Sequence, residues 1–188
     1  MRARKVRGLD RSKPLGRNAR KIVRVCVDEL YSFAERARDP SQSEALHDMR
    51  IAAKRLRYVL EVCEPAFGAA ARTGVAEMRR LQDLLGEIHD CDVMLPRVLG
   101  ALERLAEEDL AAVRGGPVGA DGLRSPTPLR DAPNRARYRG LHALITHLRA
   151  RREELHAQFL DTWQRLEREG FREELRTSLL PPKPATAV

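Results

Sequence analysis

No stretch of the chain approaches the ~20 consecutive apolar residues that a membrane-spanning helix requires. The Met1 end also lacks an apolar run that could serve as the core of a secretion signal. Membrane spanning and secretion are therefore not expected, and a cytoplasmic setting is. Cysteine is sparse: Cys26, Cys63 and Cys91 stand singly, and an odd, scattered set gives no disulfide framework. Packed, reduced thiols are expected instead. Aromatic residues make up only 4% of the chain, too few for the stacking platforms that hold single-stranded nucleic acid. The P-loop, GxSxG and HExxH motifs are all missing, as is a recognisable helix-turn-helix. The single His and Cys of His89-Asp90-Cys91-Asp92 fall short of the four ligands of a zinc site. No strand-like alternation rises above noise.

What the chain has in quantity is charge and helix formers. Charged residues account for 33% of it, and Leu, Ala, Arg and Glu dominate. The 35 Lys+Arg against 27 Asp+Glu leave a net charge of +8, which favours an anionic partner without naming it. At 188 residues, one domain with a sizeable core is expected.

Residues 1–16 carry six cations against Asp10 with little apolar content, and read as a disordered basic arm. Apolar residues at 3- and 4-residue spacing then predict an all-α bundle of about six helices. The first runs from about Arg17 to Arg36. The second runs from about Ser43 to Glu64, stopped by Pro65. The third begins near Ala71 and gives way near Pro96 to a fourth that reaches Arg114. A long helix is expected from about Asn134 to Glu169, with Gly170 as its C-cap, and a short one from Phe171 to Leu180. Residues 115–133, with four glycines and four prolines, form a flexible loop joining two packed helical halves. Residues 181–188 form a disordered tail. The helical domain is thus expected over residues 17–180.

The basic residues are placed with a pattern. At 100° per residue, His47, Arg50, Lys54 and Arg57 fall within roughly 80° of one another, a row ~15 Å long beside the apolar face of the second helix. Arg55 lies further round, toward solvent. On the third helix Arg79, Gln82, Gly86 and His89 share one arc; a mid-helix Gly costs about 1 kcal/mol relative to Ala and leaves room for a ligand or another helix to approach the backbone. The long helix carries Tyr138, His142, Arg149, Arg152 and His156 in a similar row. Arg20 and Arg24 lie opposite the apolar centre of the first helix, where solvation accounts for them. Rows that flank apolar faces could line one groove suited to a long linear anion. Arg would offer forked contacts to phosphate oxygens and Lys a point charge. The plain alternative is a set of solvated faces, since Glu61 follows Arg57 at i+4, and Glu153 and Glu154 sit near Arg149 and Arg152. Asp83, Glu87, Asp90 and Asp92 are more readily Arg partners or helix caps than metal ligands, so neither a metal nor a cofactor is expected.

Two segments carry a family resemblance. His47-Asp48-Met49-Arg50-Ile51-Ala52-Ala53-Lys54-Arg55-Leu56-Arg57-Tyr58 resembles the first signature of the CHAD family, the conserved-histidine α-helical domain. Leu81-Gln82-Asp83-Leu84-Leu85-Gly86-Glu87-Ile88-His89-Asp90-Cys91-Asp92 resembles its second. The resemblance spans roughly residues 17–180, strongly at 46–60 and 80–95. It implies a helical protein that binds inorganic polyphosphate along a basic surface or channel, in some cases at polyphosphate granules. Residue by residue it implies His47, Arg50, Lys54 and Arg57 as ligands, with Arg55, Arg79, Gln82 and His89 as additions. Arg149, Arg152 and His156 would be second-half counterparts. Apart from the resemblance, Arg20, Arg24 and His142 are further candidate polyphosphate contacts. The second half lacks a copy of the first signature, so either that half is degenerate or a homodimer completes the channel. A triphosphate-tunnel enzyme, if one acts with this chain, would be a separate protein.

Polyphosphate binding without catalysis is the function expected. The alternatives are histidine phosphotransfer through His47, which the surrounding arginines fit less well than static anion binding, and nucleic-acid binding, supported by the basic arm alone. A phosphohydrolase would need paired carboxylates to hold its metal, and the basic rows carry none.

Overall fold

The structure is a computed structural model that describes residues 3–116, 120, 122 and 131–178. Among these residues every regular element is a helix: α1 (Leu15–Tyr31), α2 (Ala34–Ala37), α3 (Ser43–Phe67), α4 (Ala69–Arg114), α5 (Arg135–Arg168) and α6 (Phe171–Ser178). None is long and apolar enough to cross a membrane.

The punctuation follows local chemistry. The helix expected to run from Arg17 to Arg36 ends at Tyr31, because Ser32 Oγ bonds the Glu29 carbonyl at 2.7 Å and competes with the ladder; the single turn of α2 follows. The carboxylate of Asp39 accepts from both the amide and the hydroxyl of Ser41, at 2.9 and 2.7 Å, forming the turn before α3. These bonds hold the Asp39 carboxyl below its ordinary range. Gly68, at φ +56°, closes α3, and Gly170, at φ +68°, ends α5 as a left-handed cap.

Two prolines read as stops are crossed. Pro65 lies inside α3, and Pro96 lies inside α4, so the expected third and fourth helices are one 46-residue helix. A proline within a helix removes one ladder bond, here the one to the Asp92 carbonyl, at a cost of ~3 kcal/mol. Ile88 before Pro96 and Val98 after it are both buried, so apolar burial continues through the site and offsets that loss.

The chain divides into two compact units, one made of Met1–His89 with Leu155–Val188, the other of Asp90–Glu154. In the first, α1 packs on α3 and touches α6. Its core takes Val27 and Leu30 from α1, Met49, Leu56 and Leu60 from α3, Met78, Leu81 and Leu85 from α4, and Leu155, Phe159, Trp163 and Leu166 from α5. All three cysteines are free and buried, and burial pushes the Cys26 thiol up to about 11. In the second unit, buried Asp109 accepts from the Asn134 amide at 3.0 Å and the Tyr138 hydroxyl at 2.8 Å, which fixes the start of α5. Most of the Gly/Pro-rich segment 115–133, and the 181–188 tail, lie outside the described residues.

Residues 4–10 of the basic arm, read from its composition as disordered, lie along α1; residues 1 and 2 lie outside the described residues. The Arg4 amide donates to Glu29 and its guanidinium to Ser32 at 2.8 Å. Asn18 bonds the Asp10 backbone in both directions, and Lys21 reaches the Gly8 carbonyl.

Candidate functional site

The α3 row is real in three dimensions, and α4 answers it within the first unit. Its polar partners are brought together by the packing of the two helices: the face of α3 that buries Met49, Ala53, Leu56 and Leu60 leaves His47, Arg50, Lys54 and Arg57 along its edge. At the bottom of the row the His47 and His89 rings meet, Nδ1 to Nδ1 at 3.4 Å with centroids 4.7 Å apart. At the top Arg57 Nε donates to Gln82 Oε1 at 3.1 Å, and its Nη1 pairs with Glu61 at 3.0 Å. Arg79 Nη2 approaches the same Glu61 oxygen at 3.8 Å. Seven of the expected residues therefore form one face: four from α3, and Arg79, Gln82 and His89 from α4.

The middle of that face is where charge is left over. Among the described residues Arg50 makes no ion pair, and its Nε is shielded from solvent with no hydrogen-bond partner. Lys54 is exposed and has no acidic partner among them either; its ammonium stands 5.9 Å from the Tyr58 ring. Burying a guanidinium N–H without an acceptor costs free energy that an incoming anion would recover. Burial, together with His89 and Arg50, holds the His47 imidazole below its ordinary value. Gly86 sits between Gln82 and His89, and a Cβ there would meet nothing within 4 Å. The space is open, so the backbone of α4 is accessible in the same arc.

Tyr58 was missed as part of this face. Its ring lies 4.6 Å from the Arg57 guanidinium and is 47% exposed, so both neighbouring cations rest against it. Its place at the end of the first signature segment, four residues after Lys54, was the available signal.

Other expected residues are committed elsewhere. Arg55 turns toward α1 and pairs at 2.7 Å with Glu29, whose side chain is only 3% exposed. It neutralises a buried carboxylate instead of extending the row. His156 is only 5% exposed, and its Nε2–H is placed to donate to the Ala37 carbonyl at 3.1 Å; it is a core residue. Arg20 and Arg24, read as solvated, line a cavity with Val23 and Val27. His142, Arg149 and Arg152 belong to the second unit, where His142 and Arg149 are exposed and Arg152 pairs with Asp92 at 2.5 Å. Among the described residues no three His, Cys, Asp or Glu side chains gather as metal ligands would.

The fold and this face define an all-helical protein with a cationic edge shared by two helices. The chain belongs to the CHAD domain family, whose model matches residues 2–99. That span contains both signature segments and the whole α3–α4 face, and leaves out α5 and α6, which the resemblance had been expected to include. No curated protein and no solved structure matches the chain.

Proposed function

We propose that the protein binds inorganic polyphosphate along the α3–α4 face and catalyses no reaction on it. The observation that carries this reading is the uncompensated middle of the row. Arg50 and Lys54, one turn apart, have no acidic partner among the described residues, while Arg57 is anchored at one end and the histidine pair closes the other. Like charges at i, i+4 cost roughly 0.2–0.5 kcal/mol, and a shielded guanidinium N–H adds to that. A chain of phosphates lying along the row relieves both, with forked contacts from arginine and a point charge from lysine. The face carries one exposed ring, that of Tyr58. A linear anion with one charge per unit matches a linear row better than a duplex does.

Membership of the CHAD family supports the same ligand class, since polyphosphate is the ligand the family resemblance implies. The compartment that goes with this function is the cytoplasm, at polyphosphate granules.

The test is a competition in which long-chain polyphosphate and single-stranded DNA, at matched total charge, displace each other from the purified protein. Strong preference for polyphosphate is expected. Equal displacement would reduce the site to a non-specific cation patch and favour nucleic-acid binding. Phosphotransfer through His47 is separated by His47→Ala: a relay is abolished by that change, whereas a multivalent row loses only part of its affinity.

A further inference from the structure

A second cluster of cations lies away from the α3–α4 face, between α1 and α6. Arg20, Lys21 and Arg24 from α1 and Arg176 from α6 line a cavity of about 370 Å³, within the range typical of ligand sites. Glu173 is the only acid among its lining residues. Two of the four cations are committed: Lys21 to the Gly8 carbonyl, and Arg176 to Asp28 and Glu173. Arg20 and Arg24 form no ion pair among the described residues. The Nε groups of Arg20, from α1, and Arg176, from α6, are both shut off from solvent without a hydrogen-bond acceptor. Two orphaned guanidinium donors on one cavity are a pattern that folded proteins avoid unless something fills it.

We propose that this cavity is a second anion site, which takes a compact oxyanion of two or more charges, of the pyrophosphate class. The charge follows from the two uncommitted guanidinium groups. Val23, Val27 and Leu175 back the cavity and are almost completely closed to water. The same closed apolar backing lowers the local dielectric and strengthens each charge contact. The site uses Arg176 and Leu175, which lie beyond the family-matched residues 2–99. It therefore belongs to this chain independently of the α3–α4 reading.

The test is calorimetric titration of the full chain with pyrophosphate, and with octanoate as an anion of single charge and apolar body. Three proteins are compared: wild type, Arg20→Gln/Arg24→Gln, and the row variant Arg50→Ala/Lys54→Ala/Arg57→Ala. Saturable pyrophosphate binding is expected in wild type and in the row variant, weakened by about tenfold or more in Arg20→Gln/Arg24→Gln, with octanoate far weaker throughout. Binding lost in the row variant and kept in Arg20→Gln/Arg24→Gln would overturn the second site while leaving the first intact. Absence of binding, or octanoate binding as well as pyrophosphate, would overturn it too. Circular dichroism checks the fold, and Arg24→Gln alone, on an exposed side chain, carries the same comparison if the double variant does not fold.

Discussion

The imidazoles of His47 and His89 face each other from α3 and α4, Nδ1 to Nδ1 at 3.4 Å. Burial and the nearness of His89 hold the His47 imidazole below its ordinary value. Arg50 adds its positive charge beside them, with Asp48 opposing it weakly.

With polyphosphate as the proposed ligand, this arrangement predicts binding that depends on pH. In the free protein the His47 pKa lies below its usual 6.5. Bound phosphates favour the charged ring and raise the pKa, so binding takes up a proton. By linkage, affinity is flat well above the bound-state pKa, rises as pH falls through it, and levels off below the free-state pKa. Titrations from about pH 8 down to about pH 5 are expected to show that rise, and His47→Gln to flatten it. A wild-type affinity independent of pH would remove the histidine pair from the site.

Arg55 is expected to matter for folding and not for the ligand. Arg55→Met leaves the buried Glu29 carboxylate without its charged partner, a loss of ~1–3 kcal/mol. The melting temperature should drop by about 2–4 °C per kcal/mol, while polyphosphate affinity stays near wild type. Adding Glu29→Gln should restore part of the stability. A large affinity loss in folded Arg55→Met would put Arg55 back on the row.

Gly86 separates stability from access. Nothing meets a Cβ at that position, so Gly86→Ala is expected to stabilise the protein by up to ~1 kcal/mol. Gly86→Leu fills the open arc between Gln82 and His89 and is expected to weaken polyphosphate binding without loss of melting temperature. Unchanged affinity in Gly86→Leu would mean that the ligand does not approach the α4 backbone.

Helical periodicity sufficed to find the all-α class, most helix positions and the α3 row, because the angle of a side chain on its own helix depends only on its number. It also placed Arg79, Gln82 and His89 in one arc. What a residue meets on the next element is not contained in that angle. Arg55 was read as facing solvent and instead reaches Glu29 on α1, and His156 was read into a basic row and instead bonds the Ala37 carbonyl in the core. Pro96 was read as a break because local preference says so, whereas buried apolar residues on both sides carry α4 through it. Arg20 and Arg24 were assigned to solvent because the α6 residues that line the same cavity are more than a hundred residues away in sequence.

The central claim is that the α3–α4 row holds polyphosphate through its charges. The most direct measurement is the salt dependence of polyphosphate affinity in wild type and in Arg50→Ala/Lys54→Ala/Arg57→Ala. Removing three contacts releases fewer counterions, so log affinity against log salt is expected to be steep in wild type and shallower by about 2 in the variant, with weaker binding at every salt concentration. Equal slopes and equal affinities in the two proteins would contradict the assignment and place the ligand, if one binds, elsewhere on the chain.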